Sequence, residues 1–396
     1  MPNNITMITQ YLKNILDKIY MQASKTAILE APNEMVKETG LAGCYMIPRI
    51  GMQGLVDYSR SNGFENGKVT LDWDVVRLAY DRGRKFFVDR MDNEESAAIV
   101  MANLAGEFLR TKVVPEVDAL RFARIASKQG IEGARASISS AADAQSAFRQ
   151  AEQALRDNQV DSESMIMFCT PEFYGLFEES IGKYRLIQGS NPDFNVANYN
   201  GIQIMQVPSS RFFSEILLAN SGEGGYSSDP SAVGLNFVMM DRNSVFQITK
   251  HANGRLFSPE VVQISDSWQY DYRIYHDLFV LANKVSGIYV HRQPITLPDE
   301  LTAVIAAGSV SGATKATATA GSGNTLGYVL ADRAPVIAKY TLKTKIEGLV
   351  EPYVSGSDIT GSLVAAGMHL YVMAFNSSGR VISAKDTTLS SSQIAS

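Results

Sequence analysis

Apolar residues recur along this chain at two different periods, and the changes of period divide it. Ile5, Ile8, Leu12, Ile15 and Ile19 are spaced three, four, three and four residues apart, which lines one face of a helix, while Asn14, Asp17 and Lys18 fall elsewhere. The pattern predicts an amphipathic N-terminal helix, packed on its own domain or reaching as an arm onto a neighbour. From Leu41 to Asp92 the runs become short or alternating. LVDYSRSNGFENGKVTLDWDVVRLAYDRGRKFFVD reads as β structure, and Asn66-Gly67 is the dipeptide of a type I′ hairpin turn. A long β-hairpin with a polar tip follows, with one arm before Asn62 and the other after Lys68. Both arms mix Asp, Arg and Lys with the apolar residues, so they cannot form a core of their own, and an isolated ribbon is only marginally stable. The hairpin must therefore lie on something else.

Helical periodicity returns at Asp92, where Asp92 and Glu95 resemble a capping box and Glu94 and Glu95 suit the positive end of a helix dipole. Met101, Leu104 and Phe108 continue the apolar face to Val113-Val114. Pro115 should kink the rod or restart it, and the second part runs from Glu116 to about Lys128, ending before Gly130. At about 1.5 Å per residue the rod is roughly 50 Å long. Asp143 to Asp157 forms another amphipathic helix with Ala147 and Leu155 inward, SMIMFCT is a buried strand, and PEFYGLFEES is a proline-initiated helix. This succession indicates an α/β or α+β domain. IQIMQVP and GLNFVMMD are strands on either side of an exposed loop, SGEGGYSSDPS. SWQYDYRIYHDLFVLANKVSGIYVHR reads as one long or two shorter strands.

Pro294 and Pro298 punctuate a boundary. Beyond them the composition shifts to Ala, Ser, Thr and Gly, and VIAKYTLKTK, LVEPYV and HLYVMAF look like strands, with a turn at Asn376 to Gly379. About one hundred residues of this kind fit a seven-stranded immunoglobulin-like sandwich, although the core signature of an antibody domain is absent.

Composition narrows the function more by exclusion than by assignment. The 396 residues are 45% hydrophobic and 19% charged, with a net charge of -5, so the chain is globular and has no overall field that would attract phosphate backbones. Cys44 and Cys169 lie in no ligand spacing and are expected as free thiols in a reducing cytoplasm. No apolar run approaches the ~18 residues of a membrane span, and the N-terminus lacks the pattern of a secretory signal. The histidines His251, His276, His291 and His369 form no metal-binding spacing, and His276, among apolar and aromatic residues, is expected to be a satisfied interface histidine. GFENGKV falls short of a phosphate loop, with Val where Ser or Thr is needed. The carboxylate pairs Glu94-Glu95, Glu178-Glu179 and Asp299-Glu300 are sequence neighbours that do not converge on one atom. No reaction, cofactor or metal is specified.

An amphipathic arm, a long hairpin, a spine helix opened by DRMDNEES and continued through VVPEVDALRFARIA, an α/β domain, and the closing strands DYRIYHDLFVLANKVSGIYVHR together resemble major capsid proteins of tailed phages, which share the Hong Kong 97 type capsid fold. YDRGRKFFVDRMDNEES, KVVPEVDALRFARIA and YHDLFVLANKVSGIYVH are the most specific segments, similar to those of phages of Gram-positive gut bacteria, and the resemblance covers about residues 1–293. It implies an α+β chain with an N-arm over 1–44, an extended β-hairpin loop over 45–91, a spine helix and peripheral domain over 92–140, an axial domain over 141–262 and peripheral closing strands over 263–293. The tail, 294–396, departs from the minimal fold and looks like the Ig-like all-β sandwich that some capsid proteins carry outside the shell.

The function so implied is structural rather than enzymatic: hexamers and pentamers closing into an icosahedral head around double-stranded DNA, assembled in the host cytoplasm. Ile8, Leu12, Ile15 and Ile19 on the arm and Asn62, Phe64, Asn66 and Lys68 at the hairpin tip are the candidate contacts between subunits. The implied partners are copies of the chain itself, portal and other head proteins, a separate scaffold or none, and packaged DNA held by non-specific contact; no removed N-terminal scaffolding segment and no membrane partner are expected. The C-terminal domain adds contact with glycan or mucus, or stabilisation of capsomers. Some members of the family cross-link a loop lysine to a neighbour's asparagine; Lys68 and Asn283 are the corresponding candidates, with a solvated turn the favoured reading for Lys68. Two alternatives remain at this point, a nanocompartment shell of the same fold and an α/β enzyme carrying a carbohydrate-binding β-sandwich.

Overall fold

The computed structural model describes residues 24–30, 37–38, 43–58, 60, 64, 66–91, 99–181, 187–188, 197–262, 264–333, 335–346, 350–361 and 363–396. The expected N-terminal helix, with Ile8, Leu12, Ile15 and Ile19, lies outside these residues, as do Asn62 and the capping box at Asp92. The chain divides into two compact units. Residues 1–134, 138–227 and 234–292 make the first, while 293–396 together with the short segments 135–137 and 228–233 make the second.

The first unit opens with an antiparallel ribbon of β1 (Cys44–Met52) and β2 (Val69–Arg77), followed by β3 (Tyr80–Asp89). The ribbon is the expected hairpin, but its turn is different. Pairing ends at Met52 with Val69, so a connection over residues 53–68 replaces a two-residue turn at Asn66-Gly67. Gly67 does not have the positive φ that a type I′ turn requires. LVDYSR, read as part of a strand, lies within this connection.

Helix α1 (Ile99–Phe108), a π turn over Leu109–Val113, and helix α2 (Val114–Ala126) form one continuous rod of roughly 42 Å at about 1.5 Å per residue. After the π turn α2 restarts with Pro115 in its first turn, as expected of a first-turn proline. Proline lacks an N–H and crowds the preceding turn, and the wider π turn accommodates this, with the Val114 N–H donating to the Leu109 carbonyl.

Ser140 caps helix α3 (Ala141–Asp157) in a reciprocal capping box with Asp143, and hydrogen bonds from Ser140 and Ser139 hold the Asp143 carboxyl below its ordinary pKa. Ala144, Ala147, Phe148, Ala151 and Leu155 form its buried face. Strand β4 (Met165–Cys169) is buried throughout because both of its faces are covered. Met165, Met167 and Cys169 pack with α3 and with helix α4 (Pro171–Ile181), while Ile166 and Phe168 meet Phe122 and Ile125 of α2. Burial raises the pKa of the Cys169 thiol, and neither Cys44 nor Cys169 is in a disulfide.

β4 sits inside a seven-stranded sheet, paired in parallel with Ile202–Gln206 and antiparallel with β5 (Leu235–Asp241). A second, antiparallel sheet orders β6 (Val245–Phe257), β7 (Ser267–Val280) and β3, and Tyr270, Tyr272 and Ile274 of β7 are covered by the rod through Ala105 of α1, Leu109 and Val113 of the π turn and Val117 of α2. β8 (Ile288–Arg292) pairs with β5 rather than with β7. The two closing strands therefore enter different sheets, joined by a 3-10 segment over Ala282–Gly287 that contains Asn283.

In the second unit, Asp299–Glu300, β10 (Val381–Thr388), β9 (His369–Phe375), Thr325–Ala331 and Glu351–Tyr353 form one sheet, and Ala303–Ala307, Thr314–Ala318 and Asp358–Ile359 a second. Ala316, Leu326, Ile359, Leu370, Val372 and Ala374 fill the core between them. Tyr371, Met373 and Phe375 face the other way yet are also buried, against Ile337. VIAKYTLKTK, expected as a strand, is this outer cover; Tyr340 within it has φ 67°, which no strand tolerates. The expected turn after β9 forms, with Asn376 Oδ1 accepting from the Ser378 and Arg380 N–H groups. Asp229 from the loop after IQIMQVP is not exposed but receives a bidentate pair from Arg380 at 2.9 and 3.1 Å.

Candidate assembly surface

The β1–β2 ribbon projects apolar side chains into solvent, and its root explains how it is aimed. Antiparallel partners lie on the same side of a ribbon, and successive residues alternate between sides. On one side Tyr45 and Ile47 are buried with Leu78 against Phe246 and Ile248 of β6. The Tyr275 hydroxyl donates to the Leu78 carbonyl at 3.1 Å, and Leu78 N–H donates to the Gly43 carbonyl at 3.0 Å. A Cβ on Gly43 would collide with the Tyr275 hydroxyl, and its φ of 73° also requires glycine.

Behind this joint, Asp277 on β7 is completely buried. It accepts from the Ala79 N–H at 3.2 Å, from its neighbour Leu278 N–H at 2.8 Å and from the Arg124 guanidinium of α2. Burial raises its carboxyl pKa, partly offset by Arg124 and these N–H donors. Arg124 also lies over the Tyr80 ring. The ribbon's root is thus fixed to spine helix and sheet together, which sets the direction of everything beyond it.

On the ribbon's other side, Val69, Leu71, Trp73 and Val75 alternate along β2 and are 68, 55, 37 and 63% exposed. The cross-strand register puts Met52, Ile50, Pro48 and Met46 opposite them. Met52 is exposed too, and the connection adds Leu55, Val56, Tyr58 and Phe64. A folded monomer seldom presents so continuous an apolar row to solvent.

Of the tip residues expected to make contacts, Phe64 is exposed and packs against Tyr58 at 4.9 Å between ring centroids. Asn66 and Lys68 are exposed as well, with the Lys68 N–H donating to Gln53 Oε1 at 2.9 Å. Asn283 is exposed. The alternating row Val69, Leu71, Trp73 and Val75 was missed as a site, although VTLDWDVV carries its period-two signal. His276, expected to be satisfied, is instead buried in the sheet with Nδ1 unpartnered; burial first, then the charges of Arg121 and Arg82, push its pKa down to about 3. Among the described residues no group of three or more His, Cys, Asp or Glu side chains is arranged to hold a metal, and no helix is long and apolar enough to cross a membrane.

Residues 306–392 match the family of the S-layer protein SbsC C-terminal domain. Comparison with curated proteins gives no match. Most of the similar solved structures are of phage capsid proteins. One from Gordonia phage Cozz has a TM-score of 0.46 at 10% identity, covering 69% of this chain and 85% of the other. The capsid of Ralstonia phage GP4 has a TM-score of 0.45 at 10% identity, covering 70% and 90%. A virus-like particle from Pyrococcus furiosus has a TM-score of 0.39 at 12% identity, covering 71% and 98%. The family match falls on the second unit.

Proposed function

We propose that this chain is a structural shell protein, the major capsid protein of a tailed phage, which assembles as hexamers and pentamers into an icosahedral head around double-stranded DNA. The observation that carries this reading is the apolar row on β2, held outward by a buried, hydrogen-bonded root. Burying such side chains contributes on the order of 2 kcal/mol each, so copies that cover one another's ribbons gain stability that no monomer has. The segments YDRGRKFFVDRMDNEES and KVVPEVDALRFARIA, with their resemblance to phage capsid proteins, support the same reading.

In this reading the subunit is not an enzyme and resides in the virion after assembly in the host cytoplasm. The arm residues Ile8, Leu12, Ile15 and Ile19 and the tip residues Asn62, Phe64, Asn66 and Lys68 contact neighbours. Portal and other head proteins, and a separate scaffold, are its further partners, and a net charge of -5 keeps its contact with packaged DNA loose. The second unit stands outside the shell as an Ig-like or S-layer-like module, stabilising capsomers or touching glycan or mucus.

The test is assembly of the full chain carrying Leu71→Asp and Trp73→Asp. Soluble, folded subunits without shells are expected; shells of normal size from this variant would remove the ribbon from the interface.

A further inference from the structure

Beneath helix α2 lies a buried polar cluster that the assembly reading does not use. Arg121, fully buried, points from α2 towards the inner face of β6 and β7. Its Nη1 donates to Thr26 Oγ1 at 2.8 Å and its Nη2 reaches Thr249 Oγ1 at 3.5 Å, while Nε has no partner. Thr249 is opposite His276 in the strand register, and Gln247, two residues away on the same face, is opposite Leu278. His276 Nδ1 and both polar atoms of the Gln247 amide are also buried without partners. The segment Ser24–Glu30 closes the cluster, with Glu30 bridging to Gln247 through the backbone.

The charges around this cluster do not balance. Among the described residues Arg121 is paired with no carboxylate directly; the Thr26 hydroxyl accepts from it and donates to Asp118 Oδ1 at 2.7 Å. Asp118 Oδ2 is meanwhile taken by Arg211 at 3.3 Å. Two guanidinium groups thus share one carboxylate, and the neighbouring Arg82–Glu116 and Arg124–Asp277 pairs are each neutral. The positive charge left over is therefore shared between Arg211, which is partly exposed to solvent, and Arg121, which is fully buried; an uncompensated buried charge is more costly than an unmade hydrogen bond, and Arg121 carries both.

We infer that Arg121, Gln247, Thr249 and His276 form a binding site for one small inorganic anion of the chloride class. The Arg121 Nε–H, the Gln247 Nε2–H, the Thr249 hydroxyl and the His276 Nδ1–H are donors lining one side of the helix–sheet interface, and a monovalent anion matches both their polarity and the excess charge. Gln247 Oε1, an acceptor, takes a water instead. The anion completes the core under the spine helix and is independent of whether the chain forms shells.

Bromide replaces chloride and scatters X-rays anomalously, so crystals of the full chain grown or soaked in sodium bromide test the site directly. An anomalous peak within hydrogen-bonding distance of Arg121 Nε and Gln247 Nε2 is expected. Thermal unfolding of the full chain in sodium chloride against sodium gluconate at equal ionic strength gives a second readout: the midpoint should rise saturably with chloride, and Gln247→Leu should remove that rise. Density for water alone at this position, or equal midpoints in the two salts for the unaltered chain, would overturn the site.

Discussion

At the residue scale, single buried polar groups join segments far apart in the sequence. Asp118 accepts from the Ser24 hydroxyl, the Lys25 and Thr26 N–H groups and the Thr26 hydroxyl, which ties the chain after the arm to the spine helix. Asp118→Asn should therefore cost about 3 kcal/mol, read by chemical denaturation; loss of less than about 0.5 kcal/mol would mean that these bonds are replaceable by water. His276 gives a pH dependence whose sign is fixed. Its folded pKa of about 3 lies below the unfolded value of 6.5, so at intermediate pH the unfolded chain binds the extra proton. This contribution to stability is complete above pH 6.5 and is lost as pH falls towards 3. His276→Phe should flatten the denaturation midpoint across that window, and an unchanged slope would contradict a neutral buried imidazole. None of these partnerships was legible in the sequence, because Asp118 and Ser24, or His276 and Arg121, become neighbours only when helix and sheet pack.

At the scale of elements, periodicity told more. The helix at 141–157, the buried strand in SMIMFCT and the helix at PEFYGLFEES follow from spacing, capping and a leading proline, all local causes. The hairpin was legible as a pair of strands, but its connection was not, since Asn66-Gly67 favours a tight turn only where strand pairing continues up to it. Likewise VIAKYTLKTK has strand composition, yet Ile337 is drawn onto the outer face of β9 and the segment covers the sheet instead of joining it. Burial of the Asp229–Arg380 pair yields a prediction for the second unit. Arg380 and Ser231 hold the Asp229 carboxyl down at about 2 although burial opposes them. The pair's contribution is present above about pH 4 and is lost as pH falls towards 2. Asp229→Asn should lower the unfolding midpoint of that unit at neutral pH and leave little further change in acid. A midpoint equal to that of the unaltered chain at pH 7 would show that the pair adds nothing.

At the scale of the whole molecule, the claim is that the folded subunit is incomplete alone. Deleting residues 1–23, which spares the Ser24 and Lys25 bonds to Asp118, should leave soluble capsomers without closed shells if the arm reaches a neighbour, and particles of normal size from that deletion would assign the arm to its own subunit. Truncation after Gln293 should leave the shell intact if the second unit is a decoration; failure to assemble would make it part of the lattice. What holds these expectations together is the ribbon, an exposed apolar row on a rigid root, whose alternation was readable in VTLDWDVV but whose exposure was a property of the fold. Electron cryo-microscopy of the purified full chain at assembly concentration tests it most directly. Closed icosahedral particles, in which Leu71 and Trp73 of each subunit are covered by a neighbour, are the predicted result. A stable monomer with the ribbon in solvent, or particles whose contacts bypass β2, would contradict it.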